Sequence, residues 1–325
     1  MTWTNLLWGL IAVFAVPLAL CGYLLGAERA LMAVGARRRN MIRPWIWLLP
    51  AFLLVGVFLL YPAVNTAVLS LKSADSSRFA GLSNYAYIFT DPAMIVVLRN
   101  YLLWLVVFTL AIVGIGLLIA TLADRVRYES AIKAVIFVPY AISFVAAGVI
   151  WKFMYQYQPA GAAQIGTLNA ILTSVDPRFP PQAWLFNKSL NNWALIVVGT
   201  WMYVGYSMVV LSAGIKGVSE SLLEAARMDG ATELQVFFRI VIPMVKPTLI
   251  VVATTTIINA LKIFDLIYVM TNGSLDTEVI ANRMYKEMFN YQSFGRASAF
   301  ATLLLLAIIP VMVMNIRRFG KGGAS

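Results

Sequence analysis

The 325-residue chain contains no histidine and a single cysteine, Cys21. The missing histidines remove the most common metal ligand and the usual proton carrier near neutral pH, and one cysteine excludes an intrachain disulfide. The sequence also lacks a Gly-x-x-x-x-Gly-Lys-Ser/Thr phosphate loop. We therefore expect no catalytic residues, no metal and no cofactor in this chain, and any ATP that it depends on must be bound by another protein.

Charged residues are also scarce, at 12% of the chain against 61% hydrophobic residues. A soluble domain of this length does not have such a composition. A membrane-spanning helix needs roughly 20 apolar residues, and seven stretches qualify: 3–25, 46–71, 99–123, 134–153, 193–215, 247–270 and 297–316. Strict alternation of apolar and polar residues is absent. The sequence predicts an all-α polytopic membrane protein with seven transmembrane helices.

The net charge of +11 could indicate nucleic-acid binding, but its distribution favours a membrane topology instead. Fifteen of the 25 lysines and arginines lie in four segments: 26–44, 124–133, 216–246 and 317–325. By the positive-inside rule these segments are cytoplasmic. The N-terminus is then outside and the C-terminus cytoplasmic. The first stretch could also be a cleaved signal peptide, but it has no positive start and is followed by Arg37-Arg38-Arg39, which favours a retained span.

The cytoplasmic loop 217–243 has the sequence features of a helix, a glycine break and a second helix. Ser221 and Glu224 match a capping box at the start of the first helix. Gly230 is expected to end it in a left-handed conformation. Thr232 can cap a second helix that stops near Pro243, and the apolar residues of the loop are Leu222, Leu223, Met228, Leu234, Phe237 and Phe238. The pattern alone leaves two alternatives, a helix lying on lipid headgroups and a docking surface for a partner.

The spacing of this loop resembles the signature of inner-membrane permeases of binding-protein-dependent ABC importers. The matching residues are Glu224, Ala225, Ala226, Gly230, Ile240 and Pro243. Ile242 stands where leucine is usual. The Asp229-Gly230-Ala231 ending and the run from Phe264 to Gly273 are similar to the carbohydrate-uptake subfamily, which serves maltose, other oligosaccharides and glycerol phosphate. The resemblance covers residues 45–316 and implies a type I importer core of six helices, preceded by one extra helix.

In relatives, the loop forms a coupling helix in a groove of the cytoplasmic ATPase. The resemblance therefore implies that Glu224 makes a charged contact, that Ala225 and Ala226 allow close approach, and that Gly230 forms the turn. Asp229, Ile240 and Pro243 complete the implied ATPase-coupling set. The implied partners are a second homologous permease, a dimer of ATP-binding subunits, an extracytoplasmic solute-binding protein and a sugar; no nucleic acid is expected.

The resemblance also implies a substrate path on two spans. Its residues are Met202, Tyr203, Tyr206, Thr255, Asn259 and Lys262. Thr255, Asn259 and Lys262 recur at helical spacing and form one stripe, and polar groups at membrane depth are costly unless they face a cavity or a partner. Lys262 leaves two alternatives open. It either faces the cavity or forms an ion pair with Asp265, three residues later.

These observations predict three segments: residues 1–44 with the extra helix and a basic linker, residues 45–316 with the permease core, and the short tail 317–325. The predicted function is the transmembrane permease subunit of an ABC importer that moves a sugar across the bacterial inner membrane by ATP-driven alternating access. Alternatives are an ABC importer for a non-sugar solute and an ion-coupled secondary carrier. A membrane-embedded enzyme is disfavoured because few acids and no histidines lie in the spans.

Overall fold

The computed structural model describes residues 3–33, 35–124 and 126–322. Arg125 and the last three residues of the predicted tail, 323–325, lie outside the described residues. No β-strand occurs in the described part of the chain, where Lys72 and Phe79 form an isolated antiparallel bridge. The predicted all-α fold class is confirmed.

The helices are joined mostly by short connections. Their bounds are α1 Trp3–Met32, α2 Ala36–Val55, α3 Tyr61–Leu69, α4 Ser83–Thr90, α5 Pro92–Leu103, α6 Thr109–Ala123, α7 Glu129–Phe137, α8 Phe144–Met154, α9 Thr167–Val175, α10 Asn191–Lys216, α11 Glu220–Met228, α12 Glu233–Val236, α13 Ile242–Met244, α14 Lys246–Leu261, α15 Asp265–Met270, α16 Ile280–Tyr285 and α17 Phe294–Gly322. Short π-helical turns lie at Gly56–Leu60, Trp104–Phe108, Phe237–Val241 and Lys286–Asn290, and Val138–Ala141 forms a 3₁₀ turn.

Among the described residues, five helices are long and apolar enough to cross a membrane. They are Val13–Met32, Ala36–Leu69, Pro92–Ala123, Asn191–Lys216 and Phe294–Arg317. The number rises to seven if each of two bent helix pairs is one span. The first pair, Glu129–Ala141 and Phe144–Met154, is bent by 101°, and the second, Glu233–Met244 and Lys246–Leu261, by 69°.

Two of the predicted spans are not continuous helices. The stretch 134–153 breaks at Ile142, whose backbone is extended. Pro139 lies just before this break and lacks the N–H that a continuing helix needs, and Ser143 caps the next helix by accepting from the amide of Ala146 at 3.2 Å. The stretch 247–270 breaks after Leu261, and a separate short helix begins at Asp265.

The chain divides into two compact units, residues 1–68 and 69–325. In the first unit, α1 and α2 form an antiparallel hairpin. The Tyr23 hydroxyl donates to the carbonyl oxygen of Ile46 at 2.8 Å, and Glu28 accepts from Arg43 at 2.7 Å and from the Trp47 indole at 2.8 Å. The domain boundary at residues 44 and 45 remains a prediction.

In the second unit, α10 is the central helix, and its residues contribute to the largest buried cluster. Trp104 and Phe108 of one span pack there with Leu195 and Val198 of α10 and with Leu266 of α15. Glycine allows close approach at the point where α10 passes α7. A Cβ on Gly205 would lie 2.7 Å from the Cα of Phe137 and even nearer to the carbonyl oxygen of Ile136.

An ion-pair network joins α7 to the ends of α6 and α10. The ammonium of Lys133 lies 2.5 Å from carboxylate oxygens of both Asp124 and Glu129, and it also donates to the Ser212 hydroxyl. Lys216 reaches the same Glu129 carboxylate at 2.5 Å. Because Ser212 and Lys216 belong to α10, the network fixes the C-terminal end of α10, which precedes the 217–243 loop.

Candidate functional site

The first helix of the loop 217–243 begins two residues earlier than the predicted capping box requires. α11 starts at Glu220, its N-cap residue is Ser219, and no side chain caps it. The Ser221 hydroxyl lies 2.7 Å from that of Ser219. The predicted capping box of Ser221 and Glu224 is therefore wrong, because Ser221 already lies in the first helical turn.

Gly230 ends this helix in the left-handed conformation that the sequence predicts, with a φ of +84°. The amide of Ala231 donates to the carbonyl oxygen of Ala226 at 3.0 Å, and that of Gly230 donates to Arg227 at 3.0 Å. These two bonds form a Schellman motif, which satisfies helix carbonyls and turns the chain. A Cβ at this position would meet no atom within 4 Å, so the requirement for glycine comes from the backbone conformation alone.

The second helix is capped by Thr232, as predicted. The Gln235 amide donates to the Thr232 hydroxyl at 3.4 Å, and the Gln235 side chain accepts from the Thr232 amide at 2.8 Å. The helix continues through a π-helical turn and ends at Met244, close to the predicted stop. Arg227 and Glu233 form an ion pair at 2.8 Å across the glycine turn, which joins the two helices of the loop.

The loop 217–243 has an inward face that packs against the protein and an outward face that is exposed. The inward face is a cluster of four buried valines at positions 218, 236, 241 and 245, against which Leu223 and Phe237 pack. Ile215 of α10 and Leu249 of α14 also pack against this cluster, so the loop is anchored to two long helices. The outward face carries large exposed apolar side chains, with Met228 at 88%, Leu234 at 71% and Phe238 at 62% exposure.

The predicted coupling residues lie mostly on the outward side. Glu224, Ala225, Asp229, Gly230 and Pro243 are exposed, whereas Ala226 and Ile240 are half-buried. A hollow of about 370 Å³ opens beside the glycine turn, and its lining residues are Asp229, Gly230, Ala231, Gln235, Arg239 and Ile240. The loop therefore offers a rigid turn, exposed apolar side chains and a shallow recess on one surface.

The predicted path residues on α10 lie in an aromatic environment. Met202 is buried. Tyr203 is half-buried and contacts the rings of Phe108, Tyr140 and Phe144, with centroid distances of 5.5 to 5.8 Å. Tyr206 stacks on Tyr140 at 5.4 Å, with an angle of 18° between the rings. The two tyrosines thus share Tyr140 as a partner.

The predicted stripe on α14 is interrupted at its end. Thr255 and Asn259 are half-buried on the helix, but Lys262 follows the last helical residue, Leu261, and is exposed. Among the described residues, Lys262 and Asp265 form no ion pair within 4 Å. Lys262 instead lines a hollow of about 280 Å³ together with Phe264, Ala281, Met284, Tyr285 and Leu304.

A cleft of about 720 Å³, which the sequence did not reveal, lies between the ends of α8 and α15. Lys152, Phe153, Gln156, Phe186 and Met270 are among its lining residues. One wall belongs to the loop after α15, where Leu275 and Asp276 have positive φ.

Three asparagine side chains hold this loop. Asn100 donates to the carbonyl oxygens of Asp276 and Glu278 at 2.6 and 3.0 Å, Asn191 donates to Leu275 at 2.7 Å, and Asn192 donates to Asp276 at 3.2 Å. Asparagines at the ends of apolar spans are the sequence signal that could have located this loop, because a buried amide needs partners.

Comparisons with known proteins show strong similarity over most of the chain. It is 53% identical over 274 residues to the osmoprotective compounds uptake permease protein GgtC of Synechocystis sp., which covers 84% of this chain and 98% of that protein. It is 42% identical over 293 residues to the alpha-glucoside transport system permease protein AglF of Rhizobium meliloti, which covers 90% of this chain and 87% of that protein.

The fold is similar to that of a chain in the crystal structure of a bacterial ABC transporter involved in the import of the acidic polysaccharide alginate. The TM-score is 0.71 at 22% identity, and the match covers 86% of this chain and 99% of that chain. Residues 112–318 match the family described as the binding-protein-dependent transport system inner membrane component. The family resemblance predicted from the sequence is confirmed, and the chain belongs to this family of membrane-embedded transport permeases.

Proposed function

We propose that this chain is the transmembrane subunit of an ABC importer for a sugar, with a glucoside or a small oligosaccharide as the substrate class. The observation that carries this proposal is the 42% identity, over 90% of the chain, to a permease named for alpha-glucoside transport. The half-buried tyrosines on α10 support it, because sugars bind to flat aromatic surfaces together with amide and hydroxyl groups. The sequence offers no nucleotide-binding loop, so ATP is hydrolysed by a separate subunit.

The loop 217–243 is the proposed contact with that ATPase. Its outward face carries Met228, Leu234 and Phe238 in exposed positions, and large exposed apolar groups mark interaction surfaces. Glu224 lies beside them and can supply a charged contact at the rim of the interface. The inward valine cluster then transmits the movement of the docked loop to α10 and α14, because both helices contribute to it.

The solute path is proposed along the faces of α10 and α14 that carry Tyr203, Tyr206, Thr255 and Asn259. Ala260 and Ile263, which flank the end of this stripe, belong to the buried cluster against which Tyr203 packs. A displacement of the loop therefore reaches side chains near the path through contiguous packing. This arrangement supports alternating access driven by the ATPase, with Lys262 at the end of the stripe as a donor for hydroxyl or anionic groups.

The remaining partners follow from the same proposal. A second homologous permease completes the membrane part, and a dimer of ATP-binding subunits docks on the cytoplasmic side. A solute-binding protein delivers the sugar on the other side. One of the structures with a similar fold was solved in complex with an alginate pentasaccharide-bound periplasmic protein. We place the chain in the bacterial inner membrane with its N-terminus outside and its C-terminus in the cytoplasm, on the basis of the lysine and arginine distribution.

A second candidate substrate class is an osmoprotective compound. It is favoured by the 53% identity to a permease named for the uptake of such compounds. The proposed subunit arrangement is the same in both cases, so the two candidates differ only in the solute that the binding protein delivers.

The test is affinity purification of the complete transporter from its host through a tag on this chain. We expect a second permease, an ATPase and a binding protein to copurify, and mass spectrometry of the ligand released from the binding protein to identify a glycoside. A non-glycosidic osmoprotectant as the ligand would favour the second candidate. A chain that transports solute without any ATPase would contradict both candidates.

Substitution of Asn259 by alanine is expected to weaken uptake. Among the described residues, the Asn259 side chain has no hydrogen-bond partner, and it is half-buried on α14, which belongs to one of the bent candidate spans. The loss of one hydrogen bond to a neutral solute costs about 0.5–1.5 kcal/mol, so we expect a roughly two- to tenfold higher KM for uptake. The control is Thr256→Val, which keeps the side-chain shape and removes a buried hydroxyl that donates to its own helix at Val252. Unchanged uptake by the Asn259 variant would exclude Asn259 from the path without affecting the proposed function.

A further inference from the structure

A polar pocket of about 380 Å³ lies at the first turn of α17, outside the loop and the path described above. Its lining residues are Ala74, Arg283, Glu287, Tyr291, Ser293 and Arg296. The pocket has the volume of a small-molecule site. Because α17 begins at Phe294 and is one of the candidate membrane spans, the pocket lies at the polar boundary of the apolar region.

The charges of this pocket do not cancel. Glu287 is 1% exposed and accepts two hydrogen bonds from Arg283, at 2.7 and 3.0 Å, so these two groups neutralise each other. Arg283 also donates to the Tyr87 hydroxyl at 2.9 Å. The guanidinium of Arg296 lies 4.2 Å from the centre of the Tyr87 ring, and no carboxylate within the described residues approaches it to ion-pair distance. The pocket therefore retains one positive charge.

The hydroxyl of Ser293 is the second observation that indicates a ligand. Ser293 is only 6% exposed, lines the pocket, and its Oγ has no hydrogen-bond partner among the residues that the structure describes. Its backbone is fixed, because its amide donates to the Glu287 carbonyl oxygen at 2.7 Å. A buried hydroxyl is rarely left unpaired in a folded protein, so this donor is available to an acceptor that binds in the pocket.

We propose that this pocket binds a phosphate-type oxyanion, carried by a lipid headgroup or present as free phosphate, through the Arg296 guanidinium and the Ser293 hydroxyl. A guanidinium forms strong, charge-assisted hydrogen bonds with phosphate oxygens. The start of a long helix adds a favourable field for an anion. The exposed aromatic residues of the same segment, Phe289 and Tyr291, are of the kind that lies at headgroup depth.

The test measures the melting temperature of the purified transporter in two arms. The first arm compares nanodiscs of phosphatidylcholine alone with nanodiscs that also contain phosphatidylglycerol. The second arm uses detergent and compares sodium phosphate with sodium chloride at equal ionic strength. We expect a higher melting temperature for the wild-type protein with the anion in at least one arm. A response only in the first arm assigns the lipid as the source, and a response in the second assigns free phosphate.

Variants connect this response to the pocket. Arg296→Gln is expected to weaken the anion-dependent stabilisation roughly ten- to a hundredfold in apparent affinity, because a charge-assisted hydrogen bond is lost. Arg178→Gln is the matched control, since it removes the same charge from an exposed position elsewhere and should respond like the wild type. If Arg296→Gln fails to fold, Ser293→Ala serves as the second variant. It is a smaller change, and it should also reduce the anion-dependent stabilisation. No response of the wild type in either arm, or an equal response in the pocket variants, would overturn the proposal.

Discussion

Replacement of Gly230 by valine is expected to leave the protein inserted in the membrane and to abolish most of its transport. Gly230 has a φ of +84°, which a β-branched residue adopts only with strain. That strain is of order 1–3 kcal/mol, which lowers the population of the native turn by roughly five- to more than a hundredfold. A Cβ there meets no neighbouring atom, so the core of the protein is not disturbed. The change therefore acts on the orientation of α11 relative to α12.

The measurement is ATP-dependent uptake into proteoliposomes, alongside the ATPase activity of the complex and the amount of inserted protein. Gly161→Val is the matched control, because Gly161 also has a positive φ, of +89°, and open space around its missing side chain. It lies between the predicted spans 134–153 and 193–215, outside the four segments predicted to be cytoplasmic. We expect Gly161→Val to retain uptake. Normal uptake by Gly230→Val would remove the loop 217–243 from the coupling mechanism, whereas equal losses in both variants would indicate a general folding defect.

Replacement of Gly205 by alanine is expected to damage the fold itself. The added Cβ would lie 2.7 Å from the Cα of Phe137 and closer still to the carbonyl oxygen of Ile136. Both contacts are with backbone, which cannot move away as a flexible side chain does. Overpacking of this kind typically costs about 1–3 kcal/mol, and α7 must shift away from α10. We expect a lower melting temperature in detergent and less protein in the membrane.

Gly114→Ala tests whether this effect is specific to the crossing of α7 and α10. Gly114 lies in α6, and a Cβ there meets no atom within 4 Å. Alanine is a better helix former than glycine by roughly 0.8–1 kcal/mol, so the control should be as stable as the wild type or slightly more stable. A wild-type melting temperature for Gly205→Ala would show that α7 adjusts without loss, which the close packing argues against.

Residue types at neighbouring positions predicted the turn and the second helix cap of the loop 217–243 better than apolar runs predicted the membrane spans. The left-handed glycine at position 230 and the cap at Thr232 follow from residue types within a few positions of each other, and both are confirmed. The capping box at Ser221 failed because the helix begins at Glu220, immediately after Ser219, so that Ser221 already lies in the first turn. The apolar runs located membrane helices but not their breaks, because a run of apolar residues is the same on either side of a bend such as the one at Ile142.

The parts that sequence reasoning missed depend on contacts between distant segments. Lys133 and Ser212 are far apart in the chain, and their contact exists only once α7 and α10 are packed. The same holds for Asn100 and the loop after α15, which lie 176 positions apart. The predicted stripe of Thr255, Asn259 and Lys262 is interrupted for a local reason. Because α14 stops at Leu261, Lys262 no longer follows the helical spacing of the other two residues. The assignment of the coupling and path residues remains a proposal.

The division of the loop 217–243 into two faces has a genetic consequence. If an ATPase docks on this loop as proposed, transport defects caused by changes at the outward residues Met228, Leu234 and Phe238 should be suppressed by second mutations in another gene, that of the ATPase. Defects at the buried valines 236 and 241 should be suppressed within this gene, at α10 or α14 positions such as Ile215 and Leu249, because those side chains complete the same cluster. A suppressor screen therefore separates the two faces of one short segment by the location of the compensating mutations.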